Sequence, residues 1–369
     1  MLKISYSKIC YVSLLGMLFT NAVFGQVEYG SFNYDGLDRS YIVYTPDSVQ
    51  INSPLVLLLH GYDGTANEMI NFTFMTEVAD TAGFIVCFPQ ADQNRWNSGI
   101  GWPTSNTDDV GFISALMDTM HSNYGIDLQR IYVGGHSNGG IMAYKLVCEI
   151  NNRIAKVAAV CSPQMPATIS TCDSTQSMPM LLMFGTADPL VLYESGVPSI
   201  PGSFSAEETL DYWLGMNGCE SSGDTVAMPN TDPFDGCNTE VITYGDCDES
   251  MPVVFYKMHG AGHHWPGVNH NLEWAGPPNL DFKADVELWN FFNTNNFEPQ
   301  QPAVPEGFSG TVTDTSAILS WGANLESDLA GYNIYRGMVP VLYDSIRTIP
   351  LDTHYVDTDL IPGQVYFYR

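Results

Sequence analysis

Basic side chains are scarce in this chain. Thirteen Lys and Arg stand against 41 Asp and Glu, and the formal net charge at pH 7 is −28. So few cations cannot neutralise a run of phosphates, which excludes nucleic acid as a partner. The same charge repels anionic membrane surfaces and favours solubility. Long apolar runs are missing too, with one exception. Ile9–Phe19 is apolar, follows Lys3 and Lys8, and leads into Val23-Phe24-Gly25. It is too short to span a bilayer and reads as the apolar part of a signal peptide over residues 1–25. We therefore expect no membrane association and an extracellular protein. Calcium-loop spacing is absent as well. Asp232-Pro233-Phe234-Asp235 and Asp246-Cys247-Asp248-Glu249 are acidic, yet neither has the ligand spacing such a loop needs. No metal is expected.

What the chain does carry is a set of strand-end motifs. Arg130-Ile131-Tyr132-Val133-Gly134 reads as a short buried strand, and the run from Gly140 to Val147 reads as a helix. Between them lies Gly135-His136-Ser137-Asn138-Gly139. Strand, tight Gly-bounded turn and helix is the setting of a nucleophile elbow, which lifts a serine hydroxyl above the sheet edge. The helix N-terminus then aims N–H groups at developing negative charge. Downstream, the apolar strand from Leu181 ends in Gly185-Thr186-Ala187-Asp188-Pro189. Another strand, from Val253 to Lys257, runs into His259-Gly260-Ala261-Gly262-His263-His264-Trp265-Pro266-Gly267. A serine hydroxyl needs a histidine to take its proton, and the histidine needs a carboxylate to fix its tautomer. Ser137, Asp188 and His263 supply these catalytic roles in the chain order of α/β-hydrolases. Each has a plainer reading alone: Asp before Pro is common in turns, and a histidine can cap a loop.

The oxyanion site follows the same logic. The apolar run from Pro54 to Leu59 leads into His60-Gly61-Tyr62-Asp63-Gly64. The loop after such a strand gives one backbone N–H, and the residue after the nucleophile gives the other. These are Tyr62 and Asn138. His60 reads as structural, packing the loop. Asp108 and Asp109 read as caps of a helix start.

These stretches resemble the secreted esterase family that groups polyhydroxybutyrate depolymerases with feruloyl and acetyl xylan esterases. The resemblance spans roughly residues 28–297. It rests on His60-Gly61-Tyr62, Asp108 to Ile113, Gly135 to Gly140, Gly185 to Pro189 and Gly262 to Gly267, with Trp213, Asn217, Gly218 and Cys219 fitting a further pattern. The Gly-His-x-Trp-Pro-Gly element separates this family from α/β-hydrolases at large. It implies that His263, not His259 or His264, is the base. The mechanism requires no cofactor. Trp265, two residues after the base, is a candidate wall of the acyl site. Trp96, Trp102 and Tyr193 follow strand ends and are further substrate-binding candidates.

Seven cysteines remain after the expected cleavage. Cys87 and Cys161 fall on apolar strands and read as free, buried thiols. Cys148 ends the helix after Ser137 and Cys172 precedes the next core strand, so both belong at one edge of the sheet and are paired. Cys219, Cys237 and Cys247 flank a polar insertion and should share one bridge, assigned to Cys219 and Cys247. An odd count leaves at least one thiol free or paired outside the chain.

Residues 28–297 alternate apolar strands with amphipathic helices, such as Asp109–Tyr124 and Leu280–Phe292. This argues an α/β class, with the doubly wound, mostly parallel sheet of an α/β-hydrolase. Residues 298–305 form a Pro- and Gln-rich linker. Residues 306–369 change to short alternating strands and resemble an incomplete all-β fibronectin type III sandwich. There Trp321 and Tyr332 would be core residues and Tyr366 a tyrosine corner. The chain stops at Arg369 inside the expected penultimate strand, so a further C-terminal module is expected beyond it. The function read from these features is a secreted serine carboxylic-ester hydrolase. Its expected partner is an ester-bearing polymer or oligomer, with feruloyl or acetyl groups on plant polysaccharide. Polyhydroxyalkanoate depolymerase is the alternative substrate reading. A peptidase or an acyltransferase on the same fold, and a non-enzymatic adhesion protein, are the alternatives of other classes.

Overall fold

Short apolar runs without a polar break form the middle of the sheet. In this computed structural model they are β3 (Leu55–Leu59), β4 (Ile85–Pro89), β5 (Ile131–His136), β6 (Lys156–Val160), β7 (Met180–Gly185) and β10 (Val253–His259). All run parallel to their neighbours in this set. Antiparallel pairs close the two sides: β1 (Gln26–Tyr34) with β2 (Leu37–Thr45), and β8 (Asp224–Ala227) with β9 (Asn238–Tyr244). The order is β1-β2-β4-β3-β5-β6-β7-β10-β9-β8. The structure describes residues 25–99, 106–170, 172, 177–248, 251–269 and 272–294, and parts of 305–368. All but the last residue of the signal-peptide stretch and nearly all of the linker lie outside these residues.

Central strands are apolar at nearly every position, with polar residues only at or near their ends, because helices cover both faces. Leu55, Leu57, Leu59, Val133, Leu182 and Phe255 point to one side. There they meet α3 (Asp109–Tyr124), α4 (Asn138–Ile150) and α6 (Ala206–Met216). Val56, Leu58, Tyr132, Met183 and Val254 point to the other. That side holds α1 (Ala66–Phe72), α2 (Met75–Ala82) and α7 (Ala284–Asn293). α5 (Pro166–Ile169) is a single short turn. The sheet is thus doubly wound, as the alternation predicts. From β3 the chain goes to β4 on one side and returns as β5 on the other. The carboxyl ends of β3 and β5 therefore splay their loops apart, and ligands bind in such crevices.

Local chemistry sets the element ends. Asp108 caps α3, accepting the Gly111 N–H at 2.9 Å. Asp109 does not cap. It is buried, pairs with the equally buried Arg39 of β2 at 2.6 Å, and accepts the Asn97 N–H at 2.7 Å. Removing one member of such a pair leaves a bare buried charge and costs about 3–5 kcal/mol. The helix predicted from Leu280 starts only at Ala284. Asp281 is engaged instead, accepting the N–H groups of Thr231 and Asp232 at 2.7 and 3.0 Å. Asp235 accepts the N–H groups of Cys237 and Leu280 at 2.7 Å each. These carboxylates tie two loops together. Cys148 is bridged to Cys172 and Cys219 to Cys247, while Cys87, Cys161 and Cys237 are free and buried.

The C-terminal residues form two small antiparallel sheets. One joins β11 (Ser309–Val312), β12 (Ala317–Ser320) and β15 (His354–Asp357); the other joins β13 (Tyr332–Gly337), β14 (Ser345–Ile349) and β16 (Phe367–Tyr368). Trp321 packs edge-on to Tyr332 at 5.3 Å, and both are buried. The Ile361 N–H donates to the Tyr366 hydroxyl at 3.1 Å. Among the described residues no helix is long and apolar enough to cross a membrane.

Candidate active site

The turn between β5 and α4 holds Ser137 at φ 53 and ψ −118. A residue with a Cβ rarely sits there, and such strain persists only where the surroundings over-determine it. Here the surroundings are glycines. A Cβ on Gly135 would lie 2.3 Å from the Gly139 carbonyl carbon, and one on Gly139 would lie 2.2 Å from the Leu59 carbonyl oxygen. One on Gly140 would lie 2.1 Å from the Ser162 Oγ. The turn therefore closes only with glycine at those places. The Ser137 N–H donates to the Val160 carbonyl at 2.9 Å, pinning the turn to β6. Asn138 begins α4. Its side chain accepts the Trp96 N–H at 2.9 Å and donates to the Ser98 Oγ at 2.7 Å. That holds its side chain against the 90s loop, with its backbone N–H at the start of α4.

Asp188 and His263 come together from the ends of β7 and β10. His263 Nδ1–H donates to Asp188 Oδ2 at 2.7 Å, with both side chains almost fully buried. The other carboxylate oxygen accepts the N–H groups of Leu190 and Val191 at 2.8 Å each. The carboxylate is thus fixed in orientation by three donors. The backbone N–H of His263 donates to the Ala275 carbonyl at 2.6 Å, which sets the loop. A Cβ on Gly262 would lie 2.1 Å from that same oxygen, so this approach requires glycine. The neighbouring histidines meet other groups. His264 donates its Nε2–H to the Gly276 carbonyl at 2.8 Å, and burial holds its pKa down. His259 lies 3.1 Å from Glu240, partly in solvent.

Ser137, Asn138, Tyr62, His263 and Trp265 all line one cleft of about 870 Å³. Its remaining wall is mainly apolar, with Met69, Ile141, Val191, Ile200 and Leu272. Among the described residues, no Lys or Arg lines it. Trp274 stands at the cleft 61% exposed, and Phe72 39%. Tyr62 packs its ring under the Arg95 guanidinium at 4.6 Å, and Arg95 bonds Asp63 at 2.7 Å. His60 is buried beside them. Its Nδ1–H donates to the Gly61 carbonyl at 2.8 Å, and its Nε2 accepts the Ala91 N–H at 3.1 Å. Burial pushes its pKa down to about 4, so it is a neutral brace.

Two of the aromatic candidates are not in the cleft. Trp96 is fully buried, donates its Nε1–H to the His60 carbonyl at 2.9 Å and packs in the main core. Tyr193 is buried under the Lys257 ammonium at 5.0 Å. Both follow strand ends, but burying their rings against the core is worth more than presenting them to water. Trp102 lies outside the described residues. Trp265 does line the cleft, and a residue missed in the sequence holds it. Asp285, in the first turn of α7, accepts the Trp265 Nε1–H at 3.0 Å. Asp285 is fully buried, and desolvation raises its pKa to about 6. A buried indole N–H needs an acceptor, so a carboxylate near Trp265 was predictable in kind, not in position. His136, Cys161 and His263 are the described residues grouped closely enough to hold a metal ion.

Residues 106–200 match the phospholipase/carboxylesterase family. Feruloyl esterase B of Neurospora crassa is 31% identical over 249 residues, covering 60% of this chain and 81% of the relative. A bifunctional acetylxylan esterase/xylanase of Neocallimastix patriciarum is 30% identical over 291 residues, covering 78% of this chain. The chain spans only 38% of that relative's length. An acetyl xylan esterase structure from Aspergillus awamori superposes with a TM-score of 0.50 at 18% identity, covering 68% of this chain and 98% of that one.

Proposed function

This chain belongs to the α/β-hydrolase family that includes the feruloyl and acetylxylan esterases, and from that premise we propose that it is a secreted serine carboxylic-ester hydrolase. The observation that carries the reading is the Asp188–His263 pair, 2.7 Å apart and buried, sharing one cleft with a serine on a strained turn. Ser137 Oγ attacks the ester carbonyl while His263 Nε2 takes its proton. The backbone N–H groups of Tyr62 and Asn138 hold the tetrahedral oxyanion, each worth about 3 kcal/mol of barrier. His263 returns the proton to the leaving alcohol. Water then attacks the acyl-serine along the reverse path and releases the acid. Asp188 holds the imidazole tautomer and balances the imidazolium.

The cleft favours a bulky apolar acyl group over acetyl. An acetyl group would leave most of about 870 Å³ unfilled. A hydroxycinnamoyl ring could lie against Trp265, with its sugar alcohol toward the exposed Trp274. The two disulfides are stable in an oxidising compartment, which supports export. The test is a parallel assay on methyl ferulate, acetylated xylan and polyhydroxybutyrate. Ferulate turnover well above the other two is expected. Dominant polyester turnover would transfer the reading to a depolymerase, and no turnover on any would refute it.

A further inference from the structure

Three metal-ligating side chains meet beside the cleft: His136 and His263 line it, and Cys161 is buried next to them. One ring nitrogen each of His136 and His263 and the Cys161 Sγ lie within 4.8 Å of one another. They arrive from separate strand ends: His136 closes β5, Cys161 follows β6 and His263 follows β10. The two rings lie 4.9 Å apart, tilted by 48°, and both line the cleft. Cys161 is fully buried at φ 51, with its N–H donating to the Met183 carbonyl at 2.8 Å. Its thiol is not bridged and donates to the His264 and Gly262 carbonyls at 3.7 and 3.9 Å, contacts that a metal–sulfur bond would replace.

We propose that His136, Cys161 and His263 form a binding site for a borderline-soft divalent cation of the Zn²⁺ type, and that its occupation shuts the enzyme off. Two imidazoles and a thiol are the donor set such ions prefer, whereas Ca²⁺ and Mg²⁺ take oxygen. Tetrahedral Zn²⁺ places nitrogen at about 2.0–2.1 Å and sulfur at about 2.3 Å, so its ligand atoms stand roughly 3.3–3.6 Å apart. The observed spread of up to 4.8 Å must close by up to about 1.2–1.5 Å, by rotation of the side chains. His263 is already oriented as metal-bound histidines are. Its Nδ1–H donates to the Asp188 carboxylate, which leaves the Nε2 lone pair for a metal. On binding, the metal–sulfur bond forms as the Cys161 thiol proton leaves to solvent, with no change of oxidation state. The fourth position is left to water from the cleft. Binding stands on this geometry alone; inhibition rests on the proposed role of His263, whose lone pair the metal would occupy.

The experiment uses the whole chain, stripped with chelator and titrated with Co²⁺. Thiolate-to-Co²⁺ absorption and hydrolysis of p-nitrophenyl acetate are read in parallel. One Co²⁺ per chain, thiolate absorption and matching loss of turnover are expected, all reversed by chelator. Zn²⁺ should compete, and Ca²⁺ and Mg²⁺ should do nothing. Cys161→Ser, with Cys161→Ala as a second variant and circular dichroism as the folding check, should lose the absorption. The metal concentration for half-inhibition, relative to each variant's own metal-free rate, should rise at least tenfold. Missing thiolate absorption in the parent, or equal metal sensitivity in both folded variants, overturns the site. Binding without loss of turnover keeps the site and overturns His263 as the base.

Discussion

His60 follows β3 and His263 follows β10, at the same end of one sheet, and they are 1% and 5% exposed. Each gives its Nδ1–H to an oxygen 2.7–2.8 Å away. For His60 that oxygen is a carbonyl, and its Nε2 is taken by the Ala91 N–H. A carbonyl cannot balance an imidazolium, so burial wins and the pKa falls to about 4. For His263 the oxygen belongs to a carboxylate held by two N–H groups, and the ring borders the cleft. Burial is common to both histidines. What differs is the charge of the partner and what the second nitrogen meets, and that difference separates a brace from a candidate base.

The comparison breaks most readily at the base. Ser137→Ala and His263→Ala should each cut p-nitrophenyl ester turnover on the order of 10⁴-fold or more, with little change in thermal stability. His264→Ala, losing only a carbonyl contact, should keep much of its turnover. If His264→Ala were the inactive variant, the assignment would move by one residue.

His60→Ala should show the converse. It strands the buried Ala91 N–H and opens a cavity, for about 2–4 kcal/mol lost in urea unfolding. Its turnover per folded molecule should fall far less than that of His263→Ala. Equal losses would mean that the two histidines share one role.

Asp285 sharpens the comparison through pH, because it is a buried acid with an uncharged partner. Its folded pKa of about 6 lies above the ordinary aspartate value, so the folded state binds the extra proton. The stability this provides is complete below about pH 4 and is lost as pH rises through 6. Asp285→Asn keeps an acceptor for Trp265 and does not ionise. Relative to the parent it should gain on the order of 2–3 kcal/mol between pH 4 and pH 7, read from parallel urea titrations. A constant difference across that window would show that Asp285 stays in one protonation state.

The smallest effect is expected from the C-terminal sheets. A chain ending near Phe297 should fold and hydrolyse small soluble esters at an unchanged rate. Its activity on insoluble polymer should fall if those residues hold the enzyme near its substrate. Loss of small-ester turnover in the folded, shortened chain would show that they reach the active site.

The central strands were legible because apolar runs of five or six residues admit few other fates. The Cys148–Cys172 bridge was legible from the sheet edge at which both fall, whereas among Cys219, Cys237 and Cys247 only the presence of one bridge followed from their place around a polar insertion. The spacing Gly135-x-Ser137-x-Gly139 was legible because close backbone approach leaves glycine no substitute. Trp96 and Tyr193 misled because the feature used to choose them, a place after a strand, is shared by rings that turn inward. Asp109 misled because its partner, Arg39, lies 70 residues away.

Local chemistry alone determined where the chain turns, which strands are buried on both faces and which side chains can act as nucleophile, acid or base. These follow from backbone sterics and the hydrophobic effect, which act within a few residues. Only the tertiary structure decided that Trp96 and Tyr193 turn into the core, that Asp285 holds Trp265, and that Cys161 stands beside two imidazoles. Those outcomes depend on contacts between groups 20 to more than 100 residues apart in the chain, as with the 20 residues between Trp265 and Asp285 and the 101 between Cys161 and Gly262. Hydrogen bonds and metal–ligand bonds act over about 2–3 Å, so no spacing rule along the sequence can supply them before the sheet has formed.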